Sequence, residues 1–128
     1  MLDFETAAWR RIMPIVRITF LDGAHRTYTR EVSAKLPKML AEVLSTEEGG
    51  VLKPEDIIVI TKNGDNTLMD RNLPDMLIEI EAHHYKERLK RSSIICHQVK
   101  EDIDKFLSER KTPTNVSVIL KLMHIHFA

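Results

Sequence analysis

Met13-Pro14-Ile15-Val16-Arg17-Ile18-Thr19-Phe20 organises the rest of the chain. Apolar and β-branched residues run together with only Arg17 between them, which is the composition of a short strand. Val16, Ile18 and Phe20 then share one face, and Ile15, Arg17 and Thr19 the other. The same stretch opens a chemical question. If translation begins at Met13 and the initiator is removed, Pro14 becomes an amino terminus carrying a secondary amine. An amide nitrogen is no base, whereas a free terminal amine titrates at about 7.7–8.0. A pocket that disfavours its charged form lowers that value and makes it a general base.

Downstream, Leu21-Asp22-Gly23-Ala24-His25 carries turn chemistry. A helix is predicted over 29–44, because Val32, Leu36, Met39, Leu40, Val43 and Leu44 fall on one helical face. Pro37 inside that stripe predicts a kink or a break into two pieces. Thr46-Glu47-Glu48-Gly49-Gly50 closes the helix, and Lys53-Pro54-Glu55-Asp56 leads into a second strand over 57–61. Asn63-Gly64-Asp65-Asn66 is a turn.

The stretch 76–82 alternates, with Met76, Ile78, Ile80 and Ala82 on one side and Leu77, Glu79 and Glu81 on the other. Over 85–110 the period is helical again. Leu89, Ile95, Val99, Ile103 and Phe106 mark the expected buried stripe, and the charged opposite face reads as solvated. The last strand, 116–127, is apolar on both faces. Upstream, residues 1–12 show no clear period and read as an N-terminal extension to a single domain over 13–128. Two origins stay open: a start codon assigned too far upstream, with Arg10-Arg11-Ile12 as a translated purine tract, or a genuine flexible arm.

The chain therefore contains one unit twice, strand–turn–helix–proline–strand, over about 13–62 and 76–127. Ile15-Val16-Arg17-Ile18 matches Leu77-Ile78-Glu79-Ile80, and Pro54 to Ile60 matches Pro113 to Ile119. Two tandem βαβ units are expected to merge into a four-stranded mixed sheet with two helices on one face, an α+β fold. With Val16, Ile18, Phe20, Ile78 and Ile80 under the helices, the open face carries Ile15, Arg17, Thr19, Leu77, Glu79, Ile119, Lys121 and Met123. Such a surface is too apolar to leave wet, so a subunit interface is expected there. Arg17 and Glu79 hold equivalent repeat positions and read as an ion pair across the pseudo-twofold, ahead of a substrate-binding role.

Composition narrows the classes. The 128 residues suit one domain, and 43% hydrophobic with 30% charged residues is ordinary for a globular protein. Lys plus Arg and Asp plus Glu both total 19, so no net field draws the chain to nucleic acid or to a membrane. One cysteine, Cys96, fits a reducing cytoplasm. No apolar run approaches the roughly 20 residues of a membrane span.

Taken together, Met13-Pro14-Ile15-Val16, the duplicated βαβ unit and Lys53-Pro54 before the second strand resemble the tautomerase superfamily, which includes 4-oxalocrotonate tautomerase and macrophage migration inhibitory factor (MIF). The resemblance covers Pro14 through Ala128 and suits a bacterial branch of the superfamily. It implies a homotrimer and a cofactor-free reaction at an amino-terminal proline. Lys53 matches a lysine that lines the pocket in MIF. At the position of the tyrosine that a neighbouring subunit supplies there, this chain has Ser117.

On this reading Pro14 is the catalytic base, moving a proton between the carbon next to a carbonyl and another atom, which is keto–enol tautomerisation. Lys53, Arg17 or Arg26 would hold the carboxylate or enolate oxygen of a small α-keto or enol acid. The alternative is that Pro14 merely begins a strand, where proline is tolerated, in a non-catalytic oligomeric binding or regulatory protein. The histidines supply a lesser idea, with His124 and His126 on one strand face and His83-His84 ending the third strand. Such pairs suit an imidazole-preferring metal, but packing at a subunit seam explains them better, and no metal is assigned. Cys96 reads as a small core residue rather than a reactive thiol.

Overall fold

The computed structural model describes residues 14–20, 28–63, 74–110 and 115–124. Residues 1–12, the turn at 21–25, Arg26, the turn residues Gly64-Asp65-Asn66, Pro113 and His126 lie outside the described residues.

The elements run β1 (Ile15–Phe20), α1 (Thr29–Leu44), a 3-10 turn (Pro54–Asp56), β2 (Ile58–Asn63), β3 (Met76–His83), α2 (Lys86–Lys90), α3 (Ser92–Glu109) and β4 (Val116–Met123). The sheet order is β2-β1-β3-β4. Within each repeat the two strands are parallel, β1 with β2 and β3 with β4. The repeats meet in the antiparallel β1–β3 ladder, in which Ile18 faces Ile78. This is the expected α+β arrangement of two βαβ units.

Alternation decides which face is covered. Val16, Ile18, Phe20, Met76, Ile78, Ile80 and Ala82 are buried, while their sequence neighbours on β1 and β3 are half-exposed. Val32, Leu36, Leu40 and Leu44 of α1 and Ile95, Val99, Ile103 and Leu107 of α3 join them in one core. Each such side chain contributes about 1.5–3 kcal/mol on burial. Both long helices thus pack on one face, as the pattern requires.

Three expectations need correction. The first is a break at Pro37, because α1 is one helix with Pro37 inside it. Proline withdraws the donor that would have reached the Ser33 carbonyl, at a cost of about 3 kcal/mol. Burial of Val32, Leu36, Met39, Leu40 and Leu44 on the same helix outweighs that. The second is one helix over 85–110, which is instead two, α2 and α3, parted at Arg91. The third is Leu89 in the buried stripe: it is 55% exposed, and its neighbour Arg88 is the buried residue.

Candidate active site at the sheet end

Because β1 and β2 are parallel and β3 runs against them, one end of the sheet gathers the starts of β1 and β2 and the ends of β3 and β4. Pro14 sits there, buried, with its carbonyl accepting the Ile58 N–H at 3.0 Å. Lys53 enters from the loop just ahead of the 3-10 turn that leads into β2. Its N–H donates to Asp56 Oδ2 at 2.9 Å, and the Asp56 N–H returns to the Lys53 carbonyl at 2.9 Å. The side chain of Lys53 is exposed, with no ion-pair partner among the described residues. Upstream, the Leu52 N–H donates to Ser45 Oγ at 2.9 Å, and Ser45 Oγ donates to the Ala41 carbonyl at 2.6 Å. The approach to Lys53 is thereby fastened to the last turn of α1.

The ends of β3 and β4 bring three imidazoles to this same end. The His84 and His124 rings lie 5.0 Å apart, and the His83 and His124 rings 6.2 Å apart. Tyr85 meets His83 edge-on at 5.0 Å. The expected pairs His83-His84 and His124 therefore do converge, whereas His126 is outside the described residues. Among the described residues no group of three His, Cys, Asp or Glu side chains is placed to hold a metal ion.

Arg88 underlies the cluster. Its Nε donates to the Leu44 carbonyl and an Nη to the His83 carbonyl, both at 2.9 Å, and its guanidinium lies 4.8 Å from the Tyr85 ring. Burial lowers its pKa, and the Tyr85 interaction opposes that. An arginine stays charged even so, so the cation lies against the negative end of α1.

Arg17 sits on the open face, directly opposite Glu79 in the ladder. Nearness was expected, but the pairing differs. Arg17 reaches diagonally to Glu81, while Glu79 takes Lys121 Nζ at 2.9 Å. Hydrogen bonding and charge from Glu81 raise the Arg17 pKa, and the same hydrogen bond holds the Glu81 carboxyl below its usual range. Diagonal neighbours lie within reach of such long side chains. The four charges form a neutral quartet, flanked by Ile58, Ile60 and Ile119, each 41–42% exposed.

Pro14 and Lys53 thus share the sheet end, Arg17 lies farther along the open face in an ion pair, and Arg26 is outside the described residues. Cys96 is half-buried on α3, and desolvation raises its thiol pKa. Sequence reasoning missed Glu81 as an ion-pair partner, and missed Arg88 and Tyr85 altogether. A signal for Arg88 existed: counting back seven residues from Ile95 along the stripe lands on Arg88, not Leu89.

No family model matches the sequence, and no curated protein sequence matches it. Solved structures do. A 5-carboxymethyl-2-hydroxymuconate delta-isomerase superposes with a TM-score of 0.60 at 10% identity, over 94% of this chain and 90% of the other. A macrophage migration inhibitory factor-like protein from Entamoeba histolytica gives 0.58 at 13% identity, over 88% and 90%. A malonate semialdehyde decarboxylase inhibited by 3-bromopropiolate gives 0.54 at 16% identity, over 89% and 88%. These are folds of the superfamily that the sequence resembles, and at such identities the likeness concerns the fold.

Proposed function

We propose that this chain, which has the tautomerase/MIF-like fold, is a cofactor-free keto–enol tautomerase or isomerase of a small α-keto or enol acid. The observation that carries the reading is the placement of Pro14 at the start of β1, its carbonyl tied to Ile58, at the sheet end that Lys53 also enters. Freed of Met13, its amine would take a proton from the carbon next to the substrate carbonyl and return it to the enolate oxygen, or work in reverse. The exposed Lys53 ammonium would hold the carboxylate. Arg26 is a second candidate for that task, and Arg17 would have to leave Glu81 to share it.

The open sheet face supports self-association as a homotrimer. Ile58, Ile60, Ile119 and Met123 are each 41–43% exposed around the charge quartet, which is costly surface to leave wet. Among the described residues no helix is long and apolar enough to cross a membrane, and a cytoplasmic setting fits the single cysteine.

A second reading follows from the residue that precedes Pro14. A chain that keeps Met13 has an amide at the proline nitrogen and no base there, and the same fold then serves as a non-catalytic binding or regulatory oligomer. Intact mass of the protein expressed from its native gene separates the two. A mass beginning at Pro14 supports the enzyme; a mass that includes Met13 removes it.

A further inference from the structure

We infer that Arg88 is a positioning residue that sets the spacing between the Pro14 and Lys53 sides of the site. The inference rests on the reading of Pro14 and Lys53 given above. Three observations carry it.

The first is what Arg88 joins. Its side chain is 3% exposed and bridges two carbonyls that are far apart in sequence, Leu44 at the end of α1 and His83 at the end of β3. A guanidinium presents its N–H groups in a rigid plane, so two acceptors held by one fork are held at a fixed separation.

The second is what those two ends carry. From Leu44 the chain passes to Ser45, whose Oγ accepts the Leu52 N–H, and Leu52 precedes Lys53. His83 lies two residues beyond Glu81, the cross-strand partner of Ile15, so the end of β3 flanks the start of β1 where Pro14 sits. One side of the brace leads to the base and the other to the cation.

The third is that the loop after α1 is clamped to α2 at further points. The Glu47 N–H donates to Glu87 Oε1 at 3.2 Å. A Cβ on Gly49 would lie 2.7 Å from Tyr85 Cε2 and 2.8 Å from Thr46 Oγ1, so the loop approaches the ring as closely as a glycine allows. Tyr85 in turn stacks under Arg88. The five-residue α2, with Tyr85 ahead of it, thus acts as a clasp between the loop after α1 and the end of β3.

The test compares the natively expressed protein with Arg88→Lys, Arg88→Met and Lys53→Ala. Lysine keeps the charge but has no planar fork, so both Arg88 variants are expected to speed amide hydrogen exchange at Leu52 and Gly49 about ten-fold or more, with Ile18 and Ile78 unchanged. Unchanged exchange at Leu52 in a folded Arg88→Lys protein overturns the brace. In turnover of a carboxylate substrate such as phenylpyruvate, both variants are expected to lower kcat/KM by roughly 10- to 100-fold, with part of the loss in kcat, because a displaced cation holds the substrate out of line with the base. Adding Lys53→Ala is expected to cause no further loss. Independent, additive effects of Arg88 and Lys53 on kcat/KM would overturn the positioning role. If the native protein shows no turnover, the proposed function has failed, while exchange at Leu52 still decides the brace.

Discussion

The carbonyl oxygen of Pro14 accepts the backbone N–H of Ile58 at 3.0 Å, which fastens Pro14 one residue ahead of the first rung of the β1–β2 ladder, Ile15 with Ile58. The proline nitrogen is on the upstream side of that rung, at the sheet end. If it is a terminal amine, the deprotonated form is the active one. kcat/KM is therefore expected to rise with pH through the amine pKa, whose unperturbed value is about 7.7–8.0, and to be lost as pH falls through it. A pH–rate profile checks this; a rate that falls with rising pH across the neutral range would contradict a basic amine.

Ile78 is fully buried and faces Ile18 across the ladder where the two repeats meet. Ile78→Ala leaves a cavity at the centre of the core, and urea denaturation is expected to show a loss of about 2–5 kcal/mol. A change under 1 kcal/mol would mean that the core is not packed as described.

Glu81→Gln tests the charge quartet. The hydrogen bond from Arg17 depresses the folded pKa of Glu81, so its contribution is present above the unfolded value of about 4.3. That contribution is lost as pH falls through the depressed folded value. Wild type is expected to be the more stable at neutral pH, with the difference in urea midpoint shrinking as pH falls through that window. A difference independent of pH would argue against the Arg17–Glu81 pair. High salt is expected to narrow the gap at neutral pH.

The two adjacent glycines are expected to respond differently to alanine. Gly49→Ala meets Tyr85 and Thr46 under 3 Å, and overpacking costs about 1–3 kcal/mol. Gly50 has φ +81° with open space around it, so its alanine variant pays only backbone strain of about 1–2 kcal/mol. Tyr85→Ala should relieve the ring's share of the first, leaving the Thr46 contact, and leave the second untouched. Thermal denaturation of the single and double variants reads this directly; equal coupling of both glycines to Tyr85 would refute the close approach.

Much of the fold was legible in the sequence because its signals are local. Alternation over Met76, Ile78, Ile80 and Ala82 reports one covered sheet face, and the α1 stripe reports both ends of that helix. Pro37 left a kink or a break open, and the break does not occur because propensity is local whereas the burial that overrides it is tertiary. Arg88 was invisible for a related reason: a charged residue on a helix reads as solvent-facing, and only its phase with Ile95 hints otherwise. The equivalence of Arg17 and Glu79 gave their nearness but not their pairing. Whether a side chain pairs straight across or diagonally depends on rotamers and on the neighbouring Lys121, which periodicity does not encode. That Pro14 and Lys53 belong to one site was implied by the family resemblance rather than by periodicity, and the convergence of the His83, His84 and His124 rings depends on side-chain placement that a repeat does not encode.

Catalysis as proposed depends on one nitrogen, and the decisive measurement is ketonisation of phenylpyruvate enol by protein whose mass begins at Pro14. Replacement of that residue in Pro14→Ala is expected to lower kcat/KM by about 10²-fold or more without unfolding the protein. Equal rates for the two proteins, or no turnover above the buffer reaction in the first, would contradict a proline base at this sheet end.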